Sequence, residues 1–168
     1  MNGNLVGCVC KDAPKAGLAS SAVYLRGVNH TNSIILDLGD FNDARPDKLL
    51  SDSIIDVYRD LKYTLAAPGD QEMISGIEYF RSAEERLNFL CNNLKIDGKA
   101  LSPEPVIIEK TGIKIGIASV IEPSVFFFYP EDIKSRLEFA DPFEAAEKML
   151  QELERMDADF KLLLFHGH

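Results

Sequence analysis

The chain has 168 residues, of which 46% are hydrophobic and 27% are charged, and its formal net charge is -9. This length can bury one core, so a single domain over residues 1–168 is expected. No apolar run reaches the length of a membrane span. The acidic balance and the lack of a Lys and Arg cluster argue against nucleic acid as a partner.

The N-terminus has no charged stretch followed by an apolar run, so no signal peptide is expected in this chain. Cys8 and Cys10 lie one residue apart and Cys91 is distant, which fits neither a disulfide framework nor a four-ligand zinc site. The Cys-x-Cys pair leaves open a role in thiol chemistry or metal transfer, which would require a lowered thiol pKa.

Strands and helices alternate in the first half of the chain. The apolar run at 33–38 predicts a buried strand that ends just before Asp40. Apolar residues at helical spacing after Asp47 predict a helix. Residues 63–67 predict a second strand, and the turn that closes it leads to Asp70.

The middle of the chain predicts a helix and a hairpin. Ser82 and Glu85 form a capping-box pattern, which predicts a helix from Ser82 towards Leu90. The β-rich segments 106–110 and 113–120 are separated by two residues, which is the length of a tight hairpin turn.

The last part of the chain predicts a capped helix and a final strand. Asp141 and Pro142 predict an N-cap and a first helical turn. The apolar face is expected to contain Phe143, Ala146, Leu150 and Leu153. The apolar run 160–165 predicts a strand that leads into His166. The aromatic run 126–129 lies in an irregular segment and is expected to be a packed loop.

Three polar residues therefore follow predicted strands, namely Asp40, Asp70 and His166. Alternating strands and helices predict an α/β sheet, in which ligands bind beyond the carboxyl ends of the strands. We expect these three side chains to lie within metal-binding reach of one another at one end of a central sheet, on adjacent parallel strands. Each residue also has an interpretation without a metal. Asp40 and Asp70 each follow a glycine, where Asp commonly forms a turn, and His166 lies near a terminus, where disorder is common.

The ordered motifs resemble the calcineurin-like metallophosphoesterases and look closest to their 5′-nucleotidase branch. The resemblance covers nearly the whole chain and rests on LDLGDF at 36–41, APGDQEM at 67–73, CNNL at 91–94, GIKIGIASV at 112–120, DPFEAAEKMLQEL at 141–153 and LLLFHGH at 162–168. It implies an α/β fold, a metallophosphoesterase-like sandwich of mixed β-sheets flanked by helices, here truncated at the C-terminus.

The resemblance also implies a metal site. In the family, two divalent ions are held by Asp, His and Asn side chains, and such ligands suit Mn, Fe or Zn. Asp40 matches the bridging carboxylate, and His166 matches the first of the late histidine ligands. Two ions are expected if the site is complete. The metals lower the pKa of the water that attacks phosphorus.

The departures from the family pattern concern the same site. Asp70 and Gln71 stand where the family has a metal-binding Asn and a His near the leaving group. Asp70 can still bind a metal, whereas Gln71 in the catalytic position cannot donate a proton as an imidazolium could. The family's opening Asp-x-His would fall at or before Asn2, and its closing Gly-His-x-His lies beyond His168, so the chain alone is expected to hydrolyse phosphate esters poorly.

These features predict metal-dependent hydrolysis of a small phosphate ester, with a nucleotide implied by the family branch alone. The alternative is a catalytically weak or inactive relative that uses the scaffold to bind a metal or a partner, which Gln71 and the missing ligands favour. The resemblance also implies an exported or periplasmic location.

Overall fold

The computed structural model describes Gly3 and residues 17–167, so Cys8, Cys10 and His168 lie outside the described residues. The helices of the described part are α1 (Leu18–Leu25), α2 (Lys48–Asp60), α3 (Ile77–Glu84), α4 (Glu131–Lys134) and α5 (Pro142–Arg155), with 3-10 turns at Gln71–Met73 and Pro123–Phe126. The strands are β1 (Leu36–Asp37), β2 (Leu65–Ala66), β3 (Leu94–Ile96), β4 (Lys99–Ala100), β5 (Val106–Lys110), β6 (Ile113–Ile121), β7 (Leu137–Phe139) and β8 (Phe160–His166).

The strands form three small sheets with both parallel and antiparallel pairs, as the α/β sandwich prediction requires. Their orders are β1-β2, β4-β3-β7 and β5-β6-β8. Strands β1 and β2 are parallel, and so are β6 and β8. Apolar side chains from β2, β6 and β8, including Leu65, Ile117 and Leu164, pack together between the sheets. The mixed α/β architecture is therefore confirmed.

The predicted hairpin is present. Strands β5 and β6 pair antiparallel up to Lys110 opposite Ile113, which leaves Thr111 and Gly112 as the two turn residues. Both have positive φ angles, 53° and 80°. A two-residue turn of this kind needs positive φ at both positions because its twist must match that of the strands.

Helix α5 covers the β6 sheet and carries the predicted cap. The Asp141 side chain accepts hydrogen bonds from the backbone N–H groups of Phe143 and Glu144. The predicted apolar face was wrong in part, because the buried residues are Ala145, Met149 and Leu153. Phe143 is 80% exposed. Leu153 packs closely over Gly116 of β6, and this contact fixes how the helix is rotated on the sheet.

The helix predicted to begin at Ser82 was wrong in position. Helix α3 begins at Ile77 and ends at Glu84, with Gly76 at its N-cap. Ser82 lies in its last turns, where its hydroxyl donates to the carbonyl of Tyr79. Burial of Ile77 and Phe80 sets the helix start here, because packing of an apolar face outweighs a local capping preference.

The aromatic run 126–129 is only partly a packed loop. Phe126 is buried, whereas Phe127 and Phe128 are 73% and 93% exposed. The run begins with the last residue of a 3-10 turn, so successive side chains point in different directions from the same short segment. Among the described helices, none combines the length and the apolar character that a membrane crossing would need.

Candidate metal centre

The side chains of Asp40, Asp70 and His166 meet in the structure. One potential ligand atom from each lies within 4.8 Å of the others. The Nε2 atom of His166 is 3.6 Å from a carboxylate oxygen of Asp40 and 3.8 Å from one of Asp70. Asp40 and Asp70 follow β1 and β2, and His166 is the last residue of β8, so the carboxyl ends of these strands converge as expected.

The route to this convergence differs from the prediction, because the three strands do not belong to one central sheet. Strand β8 pairs with β6, whereas β1 pairs with β2. A side-chain contact joins the two sheets instead, since Nδ1 of His166 is 2.7 Å from the carbonyl oxygen of Leu38, just after β1. The carbonyl accepts this hydrogen bond, so Nδ1 carries the proton and Nε2 is turned towards the carboxylates.

Two glycines allow this close approach. A Cβ atom at Gly69 would lie 2.2 Å from the Asp40 carboxylate and 2.7 Å from the His166 ring. A Cβ atom at Gly39 would lie 2.4 Å from the backbone nitrogen of Gly69. Asp40 itself has a φ of 56°, in the left-handed region that is uncommon for residues other than glycine. The loops after β1 and β2 therefore pack backbone against backbone, and this places the Asp40 carboxylate next to Gly69.

Glu72 holds these loops together. It is 2% exposed and accepts hydrogen bonds from four backbone N–H groups. The donors are Asp40 at 2.9 Å, Phe41 at 3.0 Å, Asn42 at 3.1 Å and Gly69 at 2.8 Å. Burial raises the pKa of Glu72 to about 7, although the four N–H groups favour the carboxylate and oppose the increase. A single buried side chain thus fixes the backbone on both sides of the candidate site.

The carboxylates and the imidazole influence one another strongly. The Asp70 side chain raises the pKa of His166 to about 9, against burial, with further support from the Leu38 carbonyl and Asp40. Burial acts to raise the pKa of Asp70, but its interactions with His166 and Tyr129 together lower it. Burial, and then the negative charge of Asp70, raise the pKa of Asp40. The metal-free site therefore pairs an imidazolium with two carboxyl groups.

Gln71 lies next to this cluster. Its backbone N–H donates to the Asp40 carboxylate at 3.3 Å. Its side-chain carbonyl oxygen is buried and has no hydrogen-bond partner in the part of the chain that the structure describes. A buried acceptor without a partner is costly. The catalytic role of Gln71 stays a prediction.

Two residues near the site were missed by the sequence reasoning. Glu72 was visible as the last residue of Gly-Asp-Gln-Glu, but nothing in a single sequence indicates that its carboxylate would accept four backbone hydrogen bonds. Tyr129 was placed in the aromatic run, and no spacing rule connects it with Asp70, 59 positions earlier, although its hydroxyl interacts with that carboxylate. Only the folded chain brings them together.

The donor set fits a divalent cation. Carboxylate oxygens and an imidazole nitrogen are ligands that Mn, Fe and Zn accept in proteins. Histidine ligands usually donate their other ring N–H to a carbonyl or carboxylate, and His166 does so to Leu38. The close packing at Gly39 and Gly69 places the three donors on a rigid backbone.

The raised pKa of His166 predicts a pH dependence of stability in the metal-free chain. The imidazolium is favoured in the folded state, so its contribution is fully present below pH 6.5 and is lost as the pH rises through about 9. Because the side chain is only partly buried, we expect a loss on the order of 1–3 kcal/mol in the free energy of unfolding.

Urea unfolding with EDTA at pH 6 and pH 9.5 measures this loss. His166→Asn should reduce the dependence to the part that Glu72 contributes as it ionises near pH 7. His30→Asn, which changes a loop histidine, should retain the full dependence. The same pH dependence in all three proteins would contradict the pairing of His166 with the carboxylates.

Comparison with known proteins gives relatives of one kind, although no family model matches the chain. The chain is 25% identical, over 93% of its length, to a 2′,3′-cyclic-nucleotide 2′-phosphodiesterase/3′-nucleotidase of Haemophilus influenzae. A crystal structure of a Staphylococcus aureus protein assigned as a 5′-nucleotidase superposes on 95% of the chain with a TM-score of 0.77 at 19% identity. A calcineurin-like phosphoesterase of Bacillus subtilis superposes on 94% with a TM-score of 0.75 at 20% identity.

The chain spans only part of each relative. It corresponds to 28% of the Haemophilus influenzae protein, 34% of the Staphylococcus aureus chain and 55% of the Bacillus subtilis chain. The structural likeness extends over almost all of the chain. The chain therefore has the metallophosphoesterase fold, and its resemblance to the calcineurin-like metallophosphoesterases of the 5′-nucleotidase branch is confirmed.

Proposed function

We propose that this chain supplies Asp40, Asp70 and His166 to a divalent-metal site that hydrolyses phosphoric esters, with nucleotides as the substrate class. The observation that carries the proposal is the convergence of three metal-binding side chains within 4.8 Å, on three segments far apart in the sequence. Phosphoester hydrolysis is the activity class named for the three relatives described above, two of which are designated as nucleotidases and one as a phosphoesterase.

Charge supports a metal-dependent reaction. The chain has a net charge of -9, and two carboxyl groups lie at the candidate site, so a phosphate ester would be repelled unless a cation intervened. A bound divalent cation supplies Lewis acidity and lowers the pKa of water. Asp40 and Asp70 would hold it through oxygen, and His166 would hold it through Nε2.

The surrounding residues have supporting roles in this proposal. Glu72 fixes the backbone that carries Asp40, and the Leu38 carbonyl fixes the tautomer of His166. The unpartnered oxygen of Gln71 can accept a hydrogen bond from a substrate hydroxyl or from water, but Gln71 cannot protonate a leaving group. Two ions, Mn, Fe or Zn, are proposed where further ligands complete the site.

Metal content measured by mass spectrometry tests the proposal, on protein made with its full natural termini. We expect two equivalents of divalent metal in the wild type and a clear loss in Asp40→Asn, because Asp40 is in reach of both other ligands. Asp60→Asn makes the same exchange at an exposed position of α2 and should retain the metal.

Hydrolysis of a nucleoside monophosphate with added manganese is the companion measurement. Metal without turnover in the wild type would favour the weak or inactive relative, in which the fold binds a metal or a partner. A wild type without metal would reject the proposed site altogether.

A further inference from the structure

Tyr58 of α2 contacts the loop that carries Asp40 on both sides of that residue. Its hydroxyl donates to the carboxylate of Asp37, three residues before Asp40, at 2.9 Å. Its ring packs against that of Phe41, the residue after Asp40, with 4.7 Å between centroids. The ring also stacks on that of Tyr63 at 3.9 Å, and Tyr58 is fully buried. A side chain held in this way has little freedom, so it fixes the loop relative to the helix.

The Asp37 carboxylate connects this ring to the backbone of the loop. One of its oxygens accepts the Tyr58 hydroxyl, and the other accepts the backbone N–H of Gly39 at 2.9 Å. The backbone of Asp37 is fixed as well, because its carbonyl accepts the N–H of Ala67, just after β2, at 2.8 Å. With one oxygen held by a hydroxyl, the other stays directed at the residue before Asp40.

The loop depends on such contacts because two successive residues have positive φ angles, 92° at Gly39 and 56° at Asp40. A residue other than glycine keeps this conformation where the surrounding contacts determine it. Glu72 accepts the N–H groups of residues 40–42, whereas the N–H of Gly39 donates to Asp37. The conformation directly before Asp40 is therefore held from the side of α2.

We propose that Tyr58 is a positioning residue for Asp40 and acts through the Asp37 carboxylate. Its hydroxyl keeps this carboxylate bonded to the loop backbone, and the loop then presents the Asp40 side chain to the other two candidate ligands. The inference rests on the proposed function for the cation, whereas the loop conformation can be tested without one. In this proposal Tyr58 touches neither the cation nor the substrate.

Amide hydrogen exchange of the metal-free protein, followed by NMR, tests the inference. Tyr58→Phe removes the hydroxyl and keeps the ring, so the Gly39 amide should exchange about tenfold faster as its bond to the carboxylate weakens. The amides of Phe41 and Asn42, which Glu72 accepts, should keep their rates within about twofold. Equal acceleration of all three amides would show a general loss of stability and reject the positioning role.

Tyr79→Phe is the matched control. The Tyr79 hydroxyl also donates to an aspartate, Asp52, at 3.2 Å, and Tyr79 belongs to the same apolar cluster as Tyr58. Asp52 lies on α2 and pairs with Arg86, so this hydroxyl joins α2 to the end of α3. The Gly39 amide should keep its wild-type rate in this variant. If it exchanged as fast as in Tyr58→Phe, the loss of any buried hydroxyl would loosen the loop, and the inference would be wrong.

A double-mutant comparison tests the route through Asp37. In the Asp37→Ala background Gly39 has already lost its acceptor, so Tyr58→Phe should change the Gly39 rate by less than about twofold. If the alanine variant does not fold, Asp37→Asn serves the same comparison. The effect of Tyr58→Phe should then fall below about threefold, because a bond between neutral groups is roughly half as strong as one to a carboxylate. An undiminished effect in these backgrounds would overturn the route.

Manganese affinity, measured by titration calorimetry on protein with its full natural termini, connects the loop with the cation. Tyr58→Phe should weaken binding about tenfold, the lower end of the effect of residues that support metal ligands. Tyr79→Phe should leave the affinity within about twofold. An unchanged affinity in Tyr58→Phe would overturn the inference. A wild type that binds no manganese would reject the proposed function alone, and the exchange rate of Gly39 would still decide whether Tyr58 positions the loop.

Discussion

Replacing Glu72 by alanine is expected to leave the chain largely unfolded, and replacing it by glutamine is expected to lower the free energy of unfolding by about 2–6 kcal/mol. Each oxygen of the Glu72 carboxylate accepts two of the four backbone N–H groups. Glutamine keeps one oxygen and turns an NH₂ group towards the other pair. Two buried N–H groups then lose their acceptor, at about 1–3 kcal/mol each.

Alanine leaves all four N–H groups without this acceptor. The summed cost, roughly 4–12 kcal/mol on the same basis, is similar to the whole stability of a typical domain. In the described part of the chain, all four of these N–H groups donate to the same Glu72 carboxylate. The loops of Asp40 and Gly69 would therefore separate.

Thermal and urea unfolding at pH 8 measure the effect, one pH unit above the pKa of Glu72, where the carboxylate is ionised. The glutamine variant should melt roughly 5–20 °C below the wild type. Glu154→Gln, at an exposed position of α5 with a single long ion pair to Lys161, is the control and should change little. A Glu72→Gln protein as stable as the wild type would show that the four hydrogen bonds contribute almost nothing.

The convergence of Asp40, Asp70 and His166 was predictable because short local sequence patterns mark where the strands end. The apolar runs before Asp40 and His166 are short and continuous, and a chain that alternates strands and helices brings such ends to one edge. The sheet arrangement was less predictable. Only two residues of β1 pair with β2, and the loop after β1 meets β8 through the His166 contact with Leu38, which a sequence pattern does not contain.

Helix positions agreed with the sequence pattern where an N-cap residue and an apolar face indicated the same helix start. At α2, Asp47 caps the helix, and Ile54 and Tyr58 are buried behind it, as the helical spacing indicates. Ile55, which is outside that spacing, is buried as well. At α3, the Ser82 pattern and the apolar residues disagreed, and the apolar residues determined the result. A local capping preference contributes about 1 kcal/mol, which is less than the burial of Ile77 and Phe80 together.

The residue that fixes the loops was the least predictable part of the site. Glu72 acts through hydrogen bonds to backbone groups of another segment, and it has no spacing that marks it as functional. Its role depends on burial and on the direction of its side chain, both of which arise only when the loops pack together. The convergence of Asp40, Asp70 and His166 could therefore be predicted from this chain, whereas the residue that fixes the backbone around them could not.

The double change Asp70→Asn with Gln71→His is expected to raise turnover of nucleoside monophosphates, because it removes a negative charge from the site and adds a proton donor. Burial is the main cause that raises the pKa of Asp40, and the Asp70 charge adds to it by repulsion. Beside a cation, the Asp70 charge would also repel an anionic phosphate and weaken the cation's Lewis acidity. A neutral asparagine removes this charge. Histidine at 71 supplies a proton donor, and positioned general acids contribute about 10²–10⁴-fold.

Comparing two substrates with different leaving groups shows whether the Asp70 charge or the missing proton donor limits turnover. A nucleoside monophosphate has a poor leaving group and needs protonation, so it should gain most, whereas a nitrophenyl ester leaves readily and should gain little. Turnover of both substrates with manganese is measured on protein with its full natural termini. Asp60→Asn with Gln151→His makes the same two exchanges at exposed positions and should change neither rate. If the Asp70→Asn, Gln71→His variant hydrolysed both substrates no faster than the wild type, neither Asp70 nor Gln71 would limit the hydrolysis proposed for this fold. The two residues would then belong to a different chemistry.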